Sequence, residues 1–327
     1  MRVLDTHSFF KEDLMDSSIL LSVSLGALSQ GILWGIMALG VYITFRVLDI
    51  ADLTVEGSFA AGASISAALC VNLNMSPIVS TLMALVIGAI SGAVTGLLHT
   101  KFKIPAILAG ILTQLGLYSV NLRIMGRANI PFLRVDTLFS QFASLTGLSK
   151  TNAAIVLGVL LVIAVILIIY YFFGTELGSA IRATGCNLNM VRAQGINTDT
   201  MIIIGLAISN ALVAFSGSLV AQSQGFADVK LGQGAIVIGL AAIIIGEVLL
   251  QAFSKKASFL QKFAFVILGS FIYRLIVALV LQMGLNTDDL KLFTAILVAI
   301  ALAMPTLMKN NAIKKEYKMA MKGENHA

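Results

Sequence analysis

Residues 153–173 read AAIVLGVLLVIAVILIIYYFF, twenty-one positions without a single charged or strongly polar side chain. About 20 apolar residues in helical conformation cover the hydrocarbon thickness of a bilayer, so this stretch predicts a membrane-crossing helix. Two more uncharged runs, 17–45 and 57–100, carry the same message. A buried helix in a large soluble protein is the alternative reading. The whole chain argues against it: of 327 residues 58% are hydrophobic and 12% charged, where soluble domains have about 45–50% and about 25%. A mean hydropathy of +0.95 agrees.

Extending the reading outward gives an all-α, polytopic helical membrane protein with about nine spans. They fall at roughly 18–45, 57–74, 77–99, 104–122, 152–173, 201–223, 233–251, 257–282 and 290–307. Pro77 and Pro105 mark two starts, because proline lacks an N–H and suits the first turn of a helix. Residues 1–327 form one membrane unit, with a polar loop at 123–151 and a basic tail at 308–327. The N-terminus, with Asp5, Glu12, Asp13 and Asp16, lacks the basic start of a signal peptide and is expected to be retained. Cys70 and Cys186 stand far apart, and His7, His99 and His326 form no ligand spacing, so neither a disulfide nor a metal site is expected.

Immediately after the quoted stretch comes GTELGSAIRATGCNLNMVRAQGINTDT, residues 174–200, a polar segment between two apolar ones. It reads as two short amphipathic helices, with Gly185 and Gly195 as left-handed caps. Leu177, Ala180, Ile181 and Thr184 share one face of the first helix by their i, i+3, i+4, i+7 spacing; Leu188, Val191 and Arg192 do so in the second. Asn197, Thr198 and Asp199 offer caps for the next span. The spacing fits an ordinary membrane-surface connection or a docking element for a partner. With this segment on the cytoplasmic side, thirteen of the 22 Lys and Arg fall inside, among them Arg46, Lys101, Lys103, Arg182, Arg192 and the tail lysines. The positive-inside rule then puts the N-terminus outside and the C-terminus in the cytoplasm. The net charge of +6 follows this topology, and no continuous basic face suggests nucleic acid.

The segment resembles the cytoplasmic coupling segment of bacterial ABC importer permeases of the branched-chain amino acid and ribose type, approximately G-x-x-x-R-A-x-G-x-[ND]-x-x-x-A-x-x-x-G-I-N. Gly178, Arg182, Ala183, Gly185, Asn187, Gly195, Ile196 and Asn197 match, and Val191 stands where the family often has alanine. Residues 35–63, GIMALGVYITFRVLDIADLTVEGSFAAGA, are similar to a second family run ending in D-L-S-V-G-S. Asp52, Leu53, Thr54, Val55, Gly57 and Ser58 carry this match, and Glu56 is an added residue within it. Residues 88–109 and 215–234 also fit. The resemblance implies a type II-like permease bundle in the bacterial inner membrane, working as a homodimer. Its partners would be an ABC ATPase subunit and an extracytoplasmic substrate-binding protein or lipoprotein. It makes Leu177, Gly178, Ala180, Arg182, Ala183, Gly185, Asn187, Arg192, Gly195, Ile196 and Asn197 the expected contact region for the ATPase. An amino acid, in an aromatic subgroup tryptophan or tyrosine, is the expected cargo, with a sugar or nucleoside as the alternative.

The residues add constraints of their own. No G-x-x-x-x-G-K-[ST] occurs, so this chain lacks the phosphate-cradling loop and is expected to bind no cofactor, with ATP used by the partner. A secondary transporter would show two related halves, and no internal repeat is evident. An intramembrane enzyme would need paired carboxylates, a His cluster or an activated nucleophile, and none stands out, so no catalytic residue is expected. Ionisable residues at membrane depth are expensive and point to function. Asp52, Thr54, Glu56 and Arg274 are therefore candidate pathway or gating residues. Asp52 and Glu56 also suit capping of the following helix, and Arg274 is expected to pair with a carboxylate or a helix C-terminus. Gly88, Gly92 and Gly96 form a small-residue stripe for close helix packing.

Overall fold

The computed structural model describes residues 17–133, 135–253, 258–282, 292–300 and 303. Within them eight helices are long and apolar enough to cross a membrane, so the protein is a polytopic helical membrane protein. Helix α1 (Ser17–Tyr42) continues into a π-helical turn (Ile43–Val47), and α2 (Thr54–Ala67) into another (Ala68–Asn72). Helices α3 (Pro77–Thr100) and α4 (Ala106–Met125) follow, then strand β1 (Asn129–Pro131) and the short α5 (Leu138–Thr146). After them come α6 (Lys150–Gly174), α7 (Glu176–Cys186), α8 (Leu188–Ala193), α9 (Thr198–Gln224), strand β2 (Phe226–Asp228), α10 (Ala235–Phe253) and α11 (Phe259–Gln282). Eight of the expected spans are present within a few residues of their predicted ends. Of the ninth, 290–307, the described residues 292–300 are helical. The basic tail and Arg134 lie outside the described residues.

Local chemistry sets the ends. Ser76 accepts a hydrogen bond from the Val79 N–H at 3.4 Å and Pro77 opens α3. Thr137 and Ser140 form a reciprocal capping box at the start of α5. Gly225 closes α9 at a φ of 80°, a left-handed conformation that glycine adopts without steric cost. Within the polar loop 123–151, β1 pairs antiparallel with β2, Ile130 opposite Ala227, and Ile130 packs in one buried cluster with Ala67, Met125 and Ala221.

Helices α1, α2 and α9 form the centre. Leu33, Ile36, Met37 and Leu39 are fully buried although they point to different sides of α1, as a helix surrounded by others requires. Helices α3, α4 and α6 lie outside and turn Leu82, Ile90, Leu112, Leu160 and Ile168 outward. With hydrocarbon outside, apolar burial gives little drive between helices, so close packing and hydrogen bonds must supply it. Gly62 meets the Ala214 backbone and Gly217 meets Phe59 O, while Gly88, Gly92 and Gly96 seat α3 on Asn210, Leu206 and Ile203 of α9. Three serine hydroxyls donate to carbonyls of α1: Ser209 to Gly40 O and Ser216 to Leu33 O, both at 2.7 Å, and Ser270 to Gly31 O at 2.9 Å. The Gln222 amide group donates to Thr81 at 2.8 Å and Ser66 at 3.0 Å, joining α9 to α2 and α3.

The glycine stripe is therefore structural. A Cβ on Gly92 would strike the Leu206 carbonyl and lie 2.9 Å from the Ala207 Cα, both backbone atoms that cannot swing aside. Gly92→Leu should cost about 1–3 kcal/mol or more through overpacking. Thermal melting of the detergent-solubilised protein checks this: a lower midpoint is expected, and an unchanged one would contradict the packing.

Candidate functional site

Two regions concentrate the residues singled out in the sequence. The first is the α7–α8 segment. Thr175 ends α6 and starts α7, its hydroxyl oxygen accepting from the Gly178 N–H at 3.3 Å. Gly178 lies against the Phe172 and Phe173 backbone, too close for a side chain. The inward face of α7 is Gly178, Ile181 and Thr184, with Ala180 partly covered. Leu177, expected on that face, is instead 49% exposed; α7 is rotated because Gly178 must meet the end of α6.

Gly185 also differs from expectation. It lacks a left-handed φ, and α7 runs on through Cys186. The residue is needed for another reason: a Cβ there would collide with the Val47 carbonyl and approach Leu48 Cα at 2.9 Å. The α7 backbone thus rests on the end of the first span. Asn187 breaks the helix and caps α8, its Oδ1 accepting from the Asn189 and Met190 N–H groups at 3.1 Å each. Gly195 closes α8 at a φ of 80° as expected. Ile196 packs against the core, and Asn197 caps α9 by accepting from the Thr200 N–H at 3.3 Å.

The two arginines differ. Arg192 is tied back, donating from Nε to Thr198 Oγ1 at 2.8 Å and from Nη2 to Asp199 Oδ1 at 3.4 Å. Asp199 also faces Lys103 at 3.6 Å. Arg182 donates to Ser179 Oγ at 3.2 Å, with its guanidinium carbon 5.7 Å from the Phe259 ring centre. Among the residues the segment presents outward are Leu177, Arg182, Ala183, Leu188 and Met190, beside the polar Glu176, Ser179, Asn187 and Asn189. That surface sets apolar side chains beside charged and polar ones, Arg182 and Glu176 among them.

The second region lies where α2 begins. Asp52 is 2% exposed; its Oδ1 accepts from the Thr54 N–H at 2.9 Å and its Oδ2 from Asn210 Nδ2 at 2.6 Å. It caps the start of α2, as read from sequence, and also binds a helix 158 positions along the chain. Thr54, Thr95 and Thr113 form a hydroxyl chain of 2.7 and 2.9 Å linking α2, α3 and α4. Glu56 caps a different helix from the one expected. Its Oε1 accepts from the Gly234 N–H at 2.9 Å, where α10 begins, and its Oε2 from Gln114 Nε2 at 2.8 Å. At the other end of α10, Glu247 forms an ion pair with Arg46 at the end of the first span.

Arg274 was expected opposite a carboxylate or a helix C-terminus. Its guanidinium carbon instead stands 4.0 Å above the Trp34 ring, which itself packs on Phe59 at 4.7 Å. A cation over an indole face is attracted by the ring quadrupole. Among the described residues the ion pairs are Arg46–Glu247, Lys103–Asp199 and Arg192–Asp199, and Arg274 is in none of them. The aromatic partner was missed because charge spacing carries no signal for it. The contacts of Gly185 with Val47 and of Glu56 with Gly234 were missed because both join segments remote in sequence.

Comparison with known proteins follows the same direction. A family model described as the permease component of the branched-chain amino acid transport system matches residues 23–304. The tyrosine transport system permease protein of Clostridioides difficile is 42% identical over 89% of this chain and 93% of its own length. An uncharacterized protein of Rickettsia prowazekii is 31% identical over 86% of this chain and 98% of its own. The autoinducer 2 import system permease protein of Yersinia pseudotuberculosis is 27% identical over 56% of this chain and half of its own length. No solved structure matches.

Proposed function

Because this chain belongs to the permease component family of branched-chain amino acid transport systems, we propose that it is the membrane subunit of an ATP-driven importer that carries an amino acid into a bacterial cell. The tyrosine transport permease that aligns along nearly its whole length supports an aromatic amino acid as cargo. The subunit works as a homodimer in the inner membrane, with the α7–α8 segment and the C-terminus in the cytoplasm and the N-terminus outside. An ABC ATPase docks on α7–α8, and a substrate-binding protein delivers the solute from the opposite side. ATP is hydrolysed by the partner, in keeping with the missing phosphate-cradling motif here.

The observation that carries this reading is the seating of α7 on the end of the first span. Leu177, Ala183, Leu188 and Met190 face outward for a partner, with Arg182 beside them, while Gly185 touches Val47 and Leu48 from behind. A push on the outer surface therefore reaches the first span directly. From there Arg46 holds Glu247 on α10, and the start of α10 meets Glu56 through the Gly234 N–H. The Arg46–Glu247 pair is half-exposed and contributes little stability by itself. Its place between two spans makes it a contact that opens or closes as they shift, the kind of discrete rearrangement on which alternating access depends.

Reconstitution tests the proposal. Proteoliposomes holding the permease and its ATPase, given the binding protein and tyrosine, should accumulate tyrosine only with ATP inside the ATPase compartment. Uptake that ran equally well without ATP would favour a secondary transporter and contradict this reading.

A further inference from the structure

A cavity of about 530 Å³ opens between α1, α5, α6 and α9, lined by Ser29, Gln30, Phe139, Lys150, Thr151 and Gln224 among others. It lies on the far side of the bundle from the α7–α8 segment. Lys150 and Gly174 are the two ends of α6, about 36 Å apart at about 1.5 Å per residue, and α7 begins two residues after Gly174. With α7–α8 in the cytoplasm, the cavity opens to the outside, at the ends of α6 and α9. Its wall is fixed in place: Gln222 Oε1 accepts from the Leu138 N–H at 2.9 Å and ties α5 to α9.

This cavity gathers hydrogen-bond donors around one positive charge. Among the described residues that line it there is no carboxylate, and Lys150 is the one cation. Lys150 belongs to none of the ion pairs found among the described residues. It is also the first residue of α6, where the helix dipole disfavours a cation, so its charge does not serve the helix it starts. The first N–H groups of a helix have no partner inside it. Ser149 takes that of Asn152 at 3.3 Å, leaving those of Lys150 and Thr151 without a partner among the described residues. Ser29 is 5% exposed and its hydroxyl makes no hydrogen bond among the described residues, yet its oxygen is not one of the orphan atoms sealed from solvent. The open space that this hydroxyl meets is the cavity whose wall it forms. Gln224 Nε2 donates to Gln30 Oε1 at 3.4 Å, and whichever way round the two amides are set the pair keeps one free NH2 and one free oxygen.

We infer that this cavity receives the carboxylate of the transported amino acid on its way in from the outside, with Lys150 as counter-ion and Ser29, the free amide NH2 and the first N–H groups of α6 as donors. A carboxylate is acceptor-only and takes several such bonds, which matches a lining rich in donors and empty of anions. The free amide oxygen of the Gln30–Gln224 pair is left for the solute's ammonium group. Phe132 and Phe139 line the same cavity and suit an aromatic side chain. The inference rests on the proposed import of an amino acid and adds the residues that recognise its carboxylate.

The test compares wild type, Lys150→Gln, Lys150→Arg and Ser29→Ala in proteoliposomes with the ATPase and a saturating amount of binding protein, using radiolabelled tyrosine as probe. Tyrosine uptake is expected to fall at least about tenfold in Lys150→Gln, a factor equivalent to about 1.4 kcal/mol. Lys150→Arg should recover part of it. Ser29→Ala, whose change lies inside the cavity and out of reach of the binding protein, should lose uptake several-fold. Melting midpoints and ATP hydrolysis stimulated by the loaded binding protein should persist in all three. Uptake by Lys150→Gln and Ser29→Ala equal to wild type would overturn the assignment. So would a loss in Lys150→Gln that more binding protein restored, which would make Lys150 a docking contact, or a lowered melting midpoint in both variants, which would mark a structural role. Wild type that carried none of the twenty amino acids would overturn the amino acid reading as well, whereas unaffected variants beside active wild type overturn this inference alone.

Discussion

Ala183→Trp is expected to abolish ATP-driven uptake while leaving the permease folded. Ala183 is exposed on α7, between Arg182 and the inward-facing Thr184, so an indole at 183 meets solvent and no internal neighbour. If that surface seats the ATPase, the same indole fills the space the partner must enter. Loss of a central contact in a protein interface costs about 2–4 kcal/mol, roughly 30-fold to 1000-fold in affinity. Gly185→Val, two residues on, should fail for a different reason. Its added carbon would meet the Val47 carbonyl from behind, forcing α7 off the end of the first span. That variant should lose both uptake and thermal stability, whereas Ala183→Trp should lose uptake with its melting midpoint unchanged. The pair separates a blocked surface from a broken lever, and uptake assays with melting curves of the same preparations check it.

Asn210→Leu should be among the most destabilising single changes in the bundle. Asp52 is buried and relies on the Asn210 amide at 2.6 Å and the Thr54 N–H at 2.9 Å. Leucine removes the first donor and offers nothing in return, leaving one oxygen of a buried acid unsatisfied. A buried acceptor left without its partner costs about 1–3 kcal/mol, and a loss toward the upper end of that range is expected. The double change Asp52→Asn with Asn210→Leu should cost less than the two changes summed, because the hydrogen bond between the two residues can be lost only once. Denaturation midpoints of the four proteins in detergent measure the coupling, and simple additivity would mean the pair carries no interaction of its own.

The spans were legible because each needs its own run of apolar residues, and that property is local. Residues 153–173 announce α6 without reference to anything else in the chain. Gly195 and Asn197 were legible as caps for the same reason, since caps act on backbone within three or four positions. Gly185 shows where this ends. A glycine near a helix end suits both a left-handed cap and a close backbone approach, and only the placement of Val47 decides for the second. Glu56 stands two positions into α2 and reads as a carboxylate for that helix, yet its partner Gly234 is 178 residues away. Arg274 was marked by its cost at membrane depth, but the Trp34 face that receives it leaves no trace in charge spacing. The loop 123–151 hid β1 because a three-residue strand exists only by virtue of β2, nearly a hundred residues later.

Energy from ATP is proposed to enter through the outer surface of α7 and α8. That entry is tested most directly by ATP hydrolysis in proteoliposomes containing the ATPase and either wild type or Ala183→Trp, each with and without tyrosine-loaded binding protein. Wild type should show hydrolysis stimulated by the loaded binding protein, and Ala183→Trp, equally folded, should show none. Stimulation of Ala183→Trp to the wild-type level, with tyrosine uptake intact, would mean that coupling to ATP does not pass through this surface.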